Sequence, residues 1–378
     1  MVVLREDLLR ILVCPHCQEK LQLQVFSEEQ KAGILTCKNG HFYPIIEGLP
    51  RMLVGALRDD YTDFLNRYKK ILPPIGQVAR DAHDRSESKQ VKDVFSAKWL
   101  SKDNMGVADS SPYKRFMRQW MLRKYGWSSE SAFSDELQTR KMMLDAGAGL
   151  GREVINMAKA SPSSTVVGIE FSDCAISALK NISALSNACL IQGDILRMPF
   201  ENESFDFILS EGVLHHTPNT RDAFENCCRV LKRGGEFAFY VYRKKGPIRE
   251  FTDDYLRGVM QEVQPADKWR ISEQLTKLGK MLSEIRAVVE IPSDIPELGI
   301  RKVRTNVHAL VYQNFLKCFW NDELPFEENV IVNFDWFAPE HAHRHTEVEI
   351  RSWCEESHME IVWFHEEHSG YAVRGIKN

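Results

Sequence analysis

The feature that most constrains the fold is a change of hydrophobic rhythm at residue 141. From there, short apolar runs of strand length alternate with amphipathic helical stretches. The strand-like runs are Met142 to Asp145, Thr165 to Glu170, Ala188 to Gly193, Phe205 to Ser210 and Glu236 to Tyr242, the last preceded by Arg233-Gly-Gly235. Helical stretches start near Gly151, Ser172 and Thr220. Alternation of this kind predicts a parallel sheet with helices on both faces. A closing unit follows much later: a helix from Thr346 to Ser357, then strands Met359 to His365 and Gly370 to Gly375. A hairpin there leaves the final strand antiparallel. The predicted fold class is α/β, a doubly wound, seven-stranded, mostly parallel sheet.

Between the first strand and its helix lies Leu144-Asp-Ala-Gly147-Ala-Gly149-Leu-Gly151-Arg-Glu. Glycines there let the backbone approach a ligand closely. The G-x-G-x-G spacing differs from the nicotinamide fingerprint. The other strand ends carry chemistry too. Glu170 ends the second strand, 19 residues after Gly151, where a carboxylate can accept both hydroxyls of a ribose. Asp194 and Ile195 follow the third, where an acceptor and a backbone N–H suit an adenine edge. Ser210-Glu211-Gly212 ends the fourth. Carboxyl ends of parallel strands are where open α/β sheets bind ligands.

The segments 144–153, 168–172, 193–219 and 229–239 together resemble class I S-adenosylmethionine-dependent methyltransferases, which are Rossmann-like, and among them the quinone-biosynthesis C-methyltransferases. The resemblance implies cofactor contacts at Asp145, Gly147, Gly149, Glu170, Asp194 and Ile195, with Phe171 and Ser210 beside them. A sulfonium methyl is already activated, so aligning the nucleophile does much of the work. A hydroxyl acceptor also needs a base, for which His215, His216 and Glu211 are the candidates. No Asn/Asp-Pro-Pro-Tyr tetrad follows the fourth strand, which disfavours base-amino methyltransferases.

The first 57 residues have another character. Cys14-x2-Cys17 and Cys37-x3-His41 are separated by 19 residues. Two such pairs meet the needs of a closed tetrahedral zinc site. The segment resembles the zinc-ribbon-like domain of tRNA methyltransferase activator subunits, through Tyr43 to Leu53, and that of rRNA guanine-N1 methyltransferases. Chelation is expected to unfold this ribbon first, leaving the remainder able to bind cofactor.

The chain of 378 residues divides, on these signals, into a ribbon at 1–57, a helical cover at 58–140, the sheet domain at 141–244 and 336–378, and a helical insert at 245–335 that caps the substrate. The cover holds Phe95, Trp99, Tyr113, Phe116, Trp120 and Trp127, read as packing residues, and the polar run Arg80 to Gln90. Lys and Arg number 49 against 53 Asp and Glu, and the first 58 residues hold seven against six. A balanced ribbon attracts a polyanion weakly. That disfavours RNA, and the run from Asp335 to Trp353, which resembles a tail of methyltransferases from natural-product and surface-polysaccharide clusters, implies a small or sugar-containing metabolite as substrate. An RNA base methyltransferase whose ribbon contacts RNA is the alternative, and a non-catalytic cofactor-binding adaptor a further one. His341, His343 and His345 alternate ahead of Thr346 and are read as a loop beside the site, with Thr346 and Glu349 capping the next helix. The charged start lacks a signal-peptide core and no apolar run spans a bilayer, so the expectation is cytoplasmic, with no membrane partner and with a homodimer allowed.

Overall fold

The computed structural model describes residues 3–76, Lys92, Ser96 and residues 112–378. Phe95, Trp99 and the polar run Arg80 to Gln90 lie outside the described residues, as does the Tyr113 side chain.

Helix α1 (Glu6–Ile11) leads to a four-stranded antiparallel sheet, β1 (Leu21–Ser27), β2 (Ala32–Cys37), β3 (Phe42–Ile46) and β4 (Leu49–Pro50), in sequence order. Among the described residues of the cover are α2 (Thr62–Arg67), α3 (Pro112–Lys124) and α4 (Glu130–Leu137). The main sheet then begins with β5 (Met142–Ala146), α5 (Arg152–Ala160), β6 (Thr165–Glu170), α6 (Ala175–Ile182) and β7 (Ala188–Gln192). It continues through β8 (Phe205–Glu211), α7 (Thr220–Val230) and β9 (Leu231–Tyr242). The next segment holds α8 (Pro247–Glu262), α9 (Pro265–Glu284), β10 (Val288–Ile291), β11 (Val303–Asn306), α10 (Val307–Asn314) and α11 (Phe326–Phe337). The chain closes with α12 (Glu347–Glu356), β12 (Met359–Glu366) and β13 (Gly370–Lys377).

The seven-stranded order is β12-β13-β9-β8-β5-β6-β7. Strands β5 to β9 pair in parallel, and β13 is antiparallel to both neighbours. The doubly wound, seven-stranded expectation is met, including the reversed last strand. Every residue of β6 is buried, as a strand covered on both faces requires. The chain order turns back at β5, between β6 on one side and β8 on the other. That switch point opens a cleft at the strands' carboxyl ends.

Three local expectations need correcting. Strand β9 begins at Leu231 and runs through Gly234 and Gly235, because its first residue already pairs with Phe205 and the register then shifts. The segment after β9 is not wholly helical: β10 and β11 form an antiparallel hairpin. Strands of four half-exposed residues flanked by Pro292 and Pro296 leave little periodic signal. Helix α11 also runs unbroken across position 335, so no break in structure falls there.

The N-terminal sheet is fused to the main one. Arg51 forms a parallel bridge with Gln192, Met52 N–H donates to Gln192 O (2.7 Å), and Val13 N–H donates to Pro199 O (3.0 Å). Leu8, Leu12, Tyr43 and Ile45 share one apolar core with Ile191, Ile195, Met198 and Phe200. Among the described residues, no helix is long and apolar enough to cross a membrane.

Candidate active site and metal centre

The glycine loop folds back on β6. Gly147 and Ala148 N–H both donate to Ile169 O (2.9 Å each), and Gly149 N–H donates to Glu170 Oε2 (2.9 Å). Gly147 adopts φ +94°, and a Cβ there would lie 2.4 Å from Val213. Only glycine fits both demands. Gly151, at φ +84°, then opens α5.

Glu170 is gripped at both oxygens, since Ser172 N–H donates to Oε1 (2.8 Å). It therefore fixes the loop to the end of β6 and still lines the cleft. Asp194 caps the short helical turn at Ile195–Arg197 by accepting Leu196 N–H (2.9 Å), and it lines the same wall. The cavity, of about 310 Å³, brings together Gly147, Gly149, Glu170, Phe171, Asp194 and Ile195.

Three sequence candidates stand behind that wall. Asp145 is buried, and desolvation, reinforced by the nearby Glu153 charge, holds its carboxyl well above the ordinary range. Asp145 is not among the residues that line the cavity, whereas Gly147 and Gly149 of the loop that follows it are. Ser210 Oγ donates to Ala146 O (2.9 Å), tying β8 to β5 across the switch point. His215 is fully buried, 3.7 Å between ring centroids from Tyr242. Burial, with His216 and His345 nearby, pushes its imidazole well below the ordinary value, so it stays neutral.

Glu211 and His216 do line the cavity. Glu211 is held by the Lys124 ammonium and by Tyr125 Oη (2.8 Å). Lys124 is wholly buried, 3.2 Å from the Trp120 ring centroid, and burial pulls its amine down to about 8 despite that carboxylate. A carboxylate so occupied is a poor base. His216 Nδ1 lies 2.7 Å from His341 O. A carbonyl only accepts, so Nδ1 carries the proton and neutral His216 presents its lone pair at Nε2.

The far end of the cavity comes from elements the strand-end argument does not reach. Phe116, Met117 and Trp120 of α3, Tyr240 and Tyr242 at the end of β9, Tyr312, Lys317 and Phe319 of the insert, and Trp336 near the end of α11 all line it. The two tyrosines end the fifth strand, so extending the strand-end logic by one strand finds them. Nothing in the local sequence marks Lys317.

Residues 137–287 match the family model described as a methyltransferase domain. This stretch, about two fifths of the chain, is similar to methyltransferase domains. A provisionally assigned methyltransferase of Encephalitozoon cuniculi is 34% identical over 124 residues, 32% of this chain and 54% of its own. A demethylmenaquinone methyltransferase of Staphylococcus aureus is 36% identical over 94 residues, 24% of this chain and 39% of its own. The chain thus spans about half or less of the length of the curated relatives it matches. Magnesium protoporphyrin IX methyltransferase of Synechocystis PCC 6803, solved with S-adenosylmethionine bound, aligns at 11% identity and a TM-score of 0.43, covering 78% of this chain and 99% of its own.

Beside the methyltransferase domain, the cysteine pairs converge. Cys14, Cys17, Cys37 and His41 place their ligand atoms within 4.8 Å of one another. Cys17 and Cys37 sulfurs are 3.8 Å apart, and the Cys14, Cys17 and Cys37 sulfurs stand 3.5, 3.5 and 3.4 Å from His41 Nδ1. Zinc–sulfur bonds of about 2.3 Å in a tetrahedron put sulfurs about 3.8 Å apart. The donor set therefore fits zinc, and the spacing is far too long for disulfides, whose sulfurs lie about 2.05 Å apart. The His16 ring lies tilted against that of His41, centroids 4.3 Å apart. Among the described residues this is the one group whose donor atoms meet so closely. His341, His343 and His345 do not converge. Their backbone ties the cleft mouth instead, through His343 N–H to His215 O and His345 N–H to Tyr242 O (2.9 Å each). Thr346 and Glu349 form the expected capping box.

Proposed function

We propose that the protein transfers a methyl group from S-adenosylmethionine to a small-molecule acceptor, one bearing a sugar or another polar group. The observation that carries this reading is the single cavity running from the glycine loop, Glu170 and Asp194 into a chamber walled by Phe116, Trp120, Tyr240, Tyr242 and Trp336. Enclosed, largely aromatic walls with few polar groups suit a small molecule.

S-adenosylmethionine would supply an activated methyl sulfonium. Glu170 would accept ribose hydroxyls, since a carboxylate has about four acceptor sites and two backbone N–H groups use only part of them. Asp194 and the Ile195 backbone would meet the adenine edge. Gly147 and Gly149 would let the methionine end approach the backbone. His216 is the residue we assign as base for a hydroxyl acceptor, with Glu211 a fixed wall and His215 a packing support for His216. The wall aromatics exclude water and orient the nucleophile in line.

We further propose that Cys14, Cys17, Cys37 and His41 hold one structural zinc, that 1–57, 58–140 and 245–335 serve as ribbon, cover and substrate cap, and that the protein works in the cytoplasm. The deciding experiment incubates the protein with methyl-labelled S-adenosylmethionine and separate metabolite and RNA fractions of its source cells. Label in a small molecule is expected. Label confined to RNA favours the ribbon-to-RNA alternative, and cofactor binding without any transfer favours an adaptor.

A further inference from the structure

The insert end of the cavity is lined by Lys317, and further basic groups stand close behind it. Lys317 is only 5% exposed and lines the cavity. Its ammonium sits 4.1 Å from the Trp336 ring centroid, and it makes no ion pair within 4 Å. The Lys245 ammonium lies 5.8 Å from the same ring, buried and without a hydrogen-bond partner. The two neighbouring arginines are already neutralised. Arg249 pairs with Asp253 (2.9 Å), whose other oxygen accepts Trp336 Nε1–H (2.8 Å), and Arg243 pairs with Glu366 (2.9 Å). His368 completes the group: its Nε2 is buried and unpartnered, and the charges of Lys245, Arg249, Arg243 and Lys317 all act on it. Asp335 is on the same wall and acts on Lys317 through its charge.

Burying an unpaired ammonium is costly, and proteins rarely keep two together without something to meet them. The position is also built rather than incidental. The loop carrying Lys317 is pinned to α11 by Phe319 N–H to Asn333 Oδ1 (2.8 Å) and by Asn333 Nδ2–H to Phe319 O (3.0 Å).

We infer that this end of the cavity is an anion subsite, in which Lys317, with Lys245 behind it on the same Trp336 ring, recognises a carboxylate or phosphate on the methyl acceptor. The inference rests on the reading of the cavity as a methyltransferase site, and it narrows the acceptor to an acidic small molecule. Trp336 and Tyr312 flank that anion with aromatic faces, so the acceptor's body next to it is flat or apolar.

The test titrates benzoate, phenyl phosphate and benzyl alcohol into the full-length protein, with and without S-adenosylhomocysteine. One of the two anions should bind at least about tenfold more tightly than the alcohol, as a hydrogen bond to a charged group provides. Which anion prevails tells carboxylate from phosphate. Lys317→Met should abolish the preference with no loss of melting temperature, and Lys317→Arg should restore part of it, with unchanged S-adenosylhomocysteine affinity in both. The inference falls if benzyl alcohol binds equally well, if neither anion binds, or if Lys317→Met keeps the preference. Failure of S-adenosylhomocysteine to bind the unaltered protein counts against the methyltransferase reading alone, because the anion titrations are also run without it.

Discussion

Gly149 and Glu170 are joined by one hydrogen bond, from the backbone N–H of the loop to the carboxylate that ends the second parallel strand, at 2.9 Å. The loop's shape and the cleft's main acid are therefore set by the same contact. Ser172 N–H holds the other carboxylate oxygen. Glu170→Gln would turn an amide donor toward one of these two N–H donors. It should weaken S-adenosylhomocysteine binding by about 1–3 kcal/mol, measured by calorimetry. Undiminished affinity would remove Glu170 from the cofactor site.

The Lys124–Glu211 pair should be a stability element. Both side chains are nearly excluded from water. Removing one partner from a buried pair costs about 3–5 kcal/mol, while removing both costs much less. Lys124→Met should thus lower the melting temperature sharply, and Lys124→Met with Glu211→Gln should recover most of the loss. A single variant as stable as the parent protein would show that the pair carries nothing.

Purified protein should contain one zinc per chain, and Cys37→Ser should lose it, as elemental analysis can establish. The fused core alters the expectation for chelation. Ile45 and Tyr43 pack in the same cluster as Ile191 and Ile195, so the ribbon is not free to unfold alone. Stripping the metal should lower cofactor affinity as well as ribbon structure. Intact cofactor binding in a chelated, ribbon-unfolded protein would argue that the two units are energetically separate.

Protonation should couple to anion binding. Burial pulls the Lys317 amine down to about 7, with Arg249 adding to the effect and Asp253 and Asp335 opposing it. Lys245 also faces it, and Trp336 lies against it. Since the folded value is depressed, the unfolded chain binds more protons between pH 7 and the ordinary lysine range, and stability should rise with pH across that window. Anion affinity should do the opposite and fall above pH 7, because the proton must then be taken up. Calorimetry in buffers of different ionisation enthalpy measures that uptake. Zero uptake at pH 8 would contradict it.

The sheet was legible because β5 to β9 each bury a continuous apolar run, and because Gly147, Glu170 and Asp194 fall at strand ends where one sequence position decides one contact. The cysteine pairs were legible because both ends of each pair sit in one turn. Side chains that meet through tertiary packing were not. Lys124 reaches Glu211 across 87 positions, and Lys317 meets Trp336 only because Asn333 holds their two segments together. No periodicity encodes such meetings. Conversely, His215 had the right neighbours in sequence but faces Tyr242 inside the core. A histidine one residue from the cleft need not point into it.

The fusion of Arg51 to Gln192 also governs how copies of this chain can meet. A sheet edge with open N–H and C=O groups invites a strand from another molecule. Here the carboxyl end of the β7 edge, at Gln192, is occupied by the ribbon's own backbone. The opposite edge, β12, is interrupted by a register shift between Ile361 and Trp363 and carries exposed Glu360 and Glu366. Both routes to strand addition are obstructed, one by the chain itself and one by shape and charge. A strand added from another copy would thus have to displace the ribbon at Gln192, or to follow the bulged register of β12.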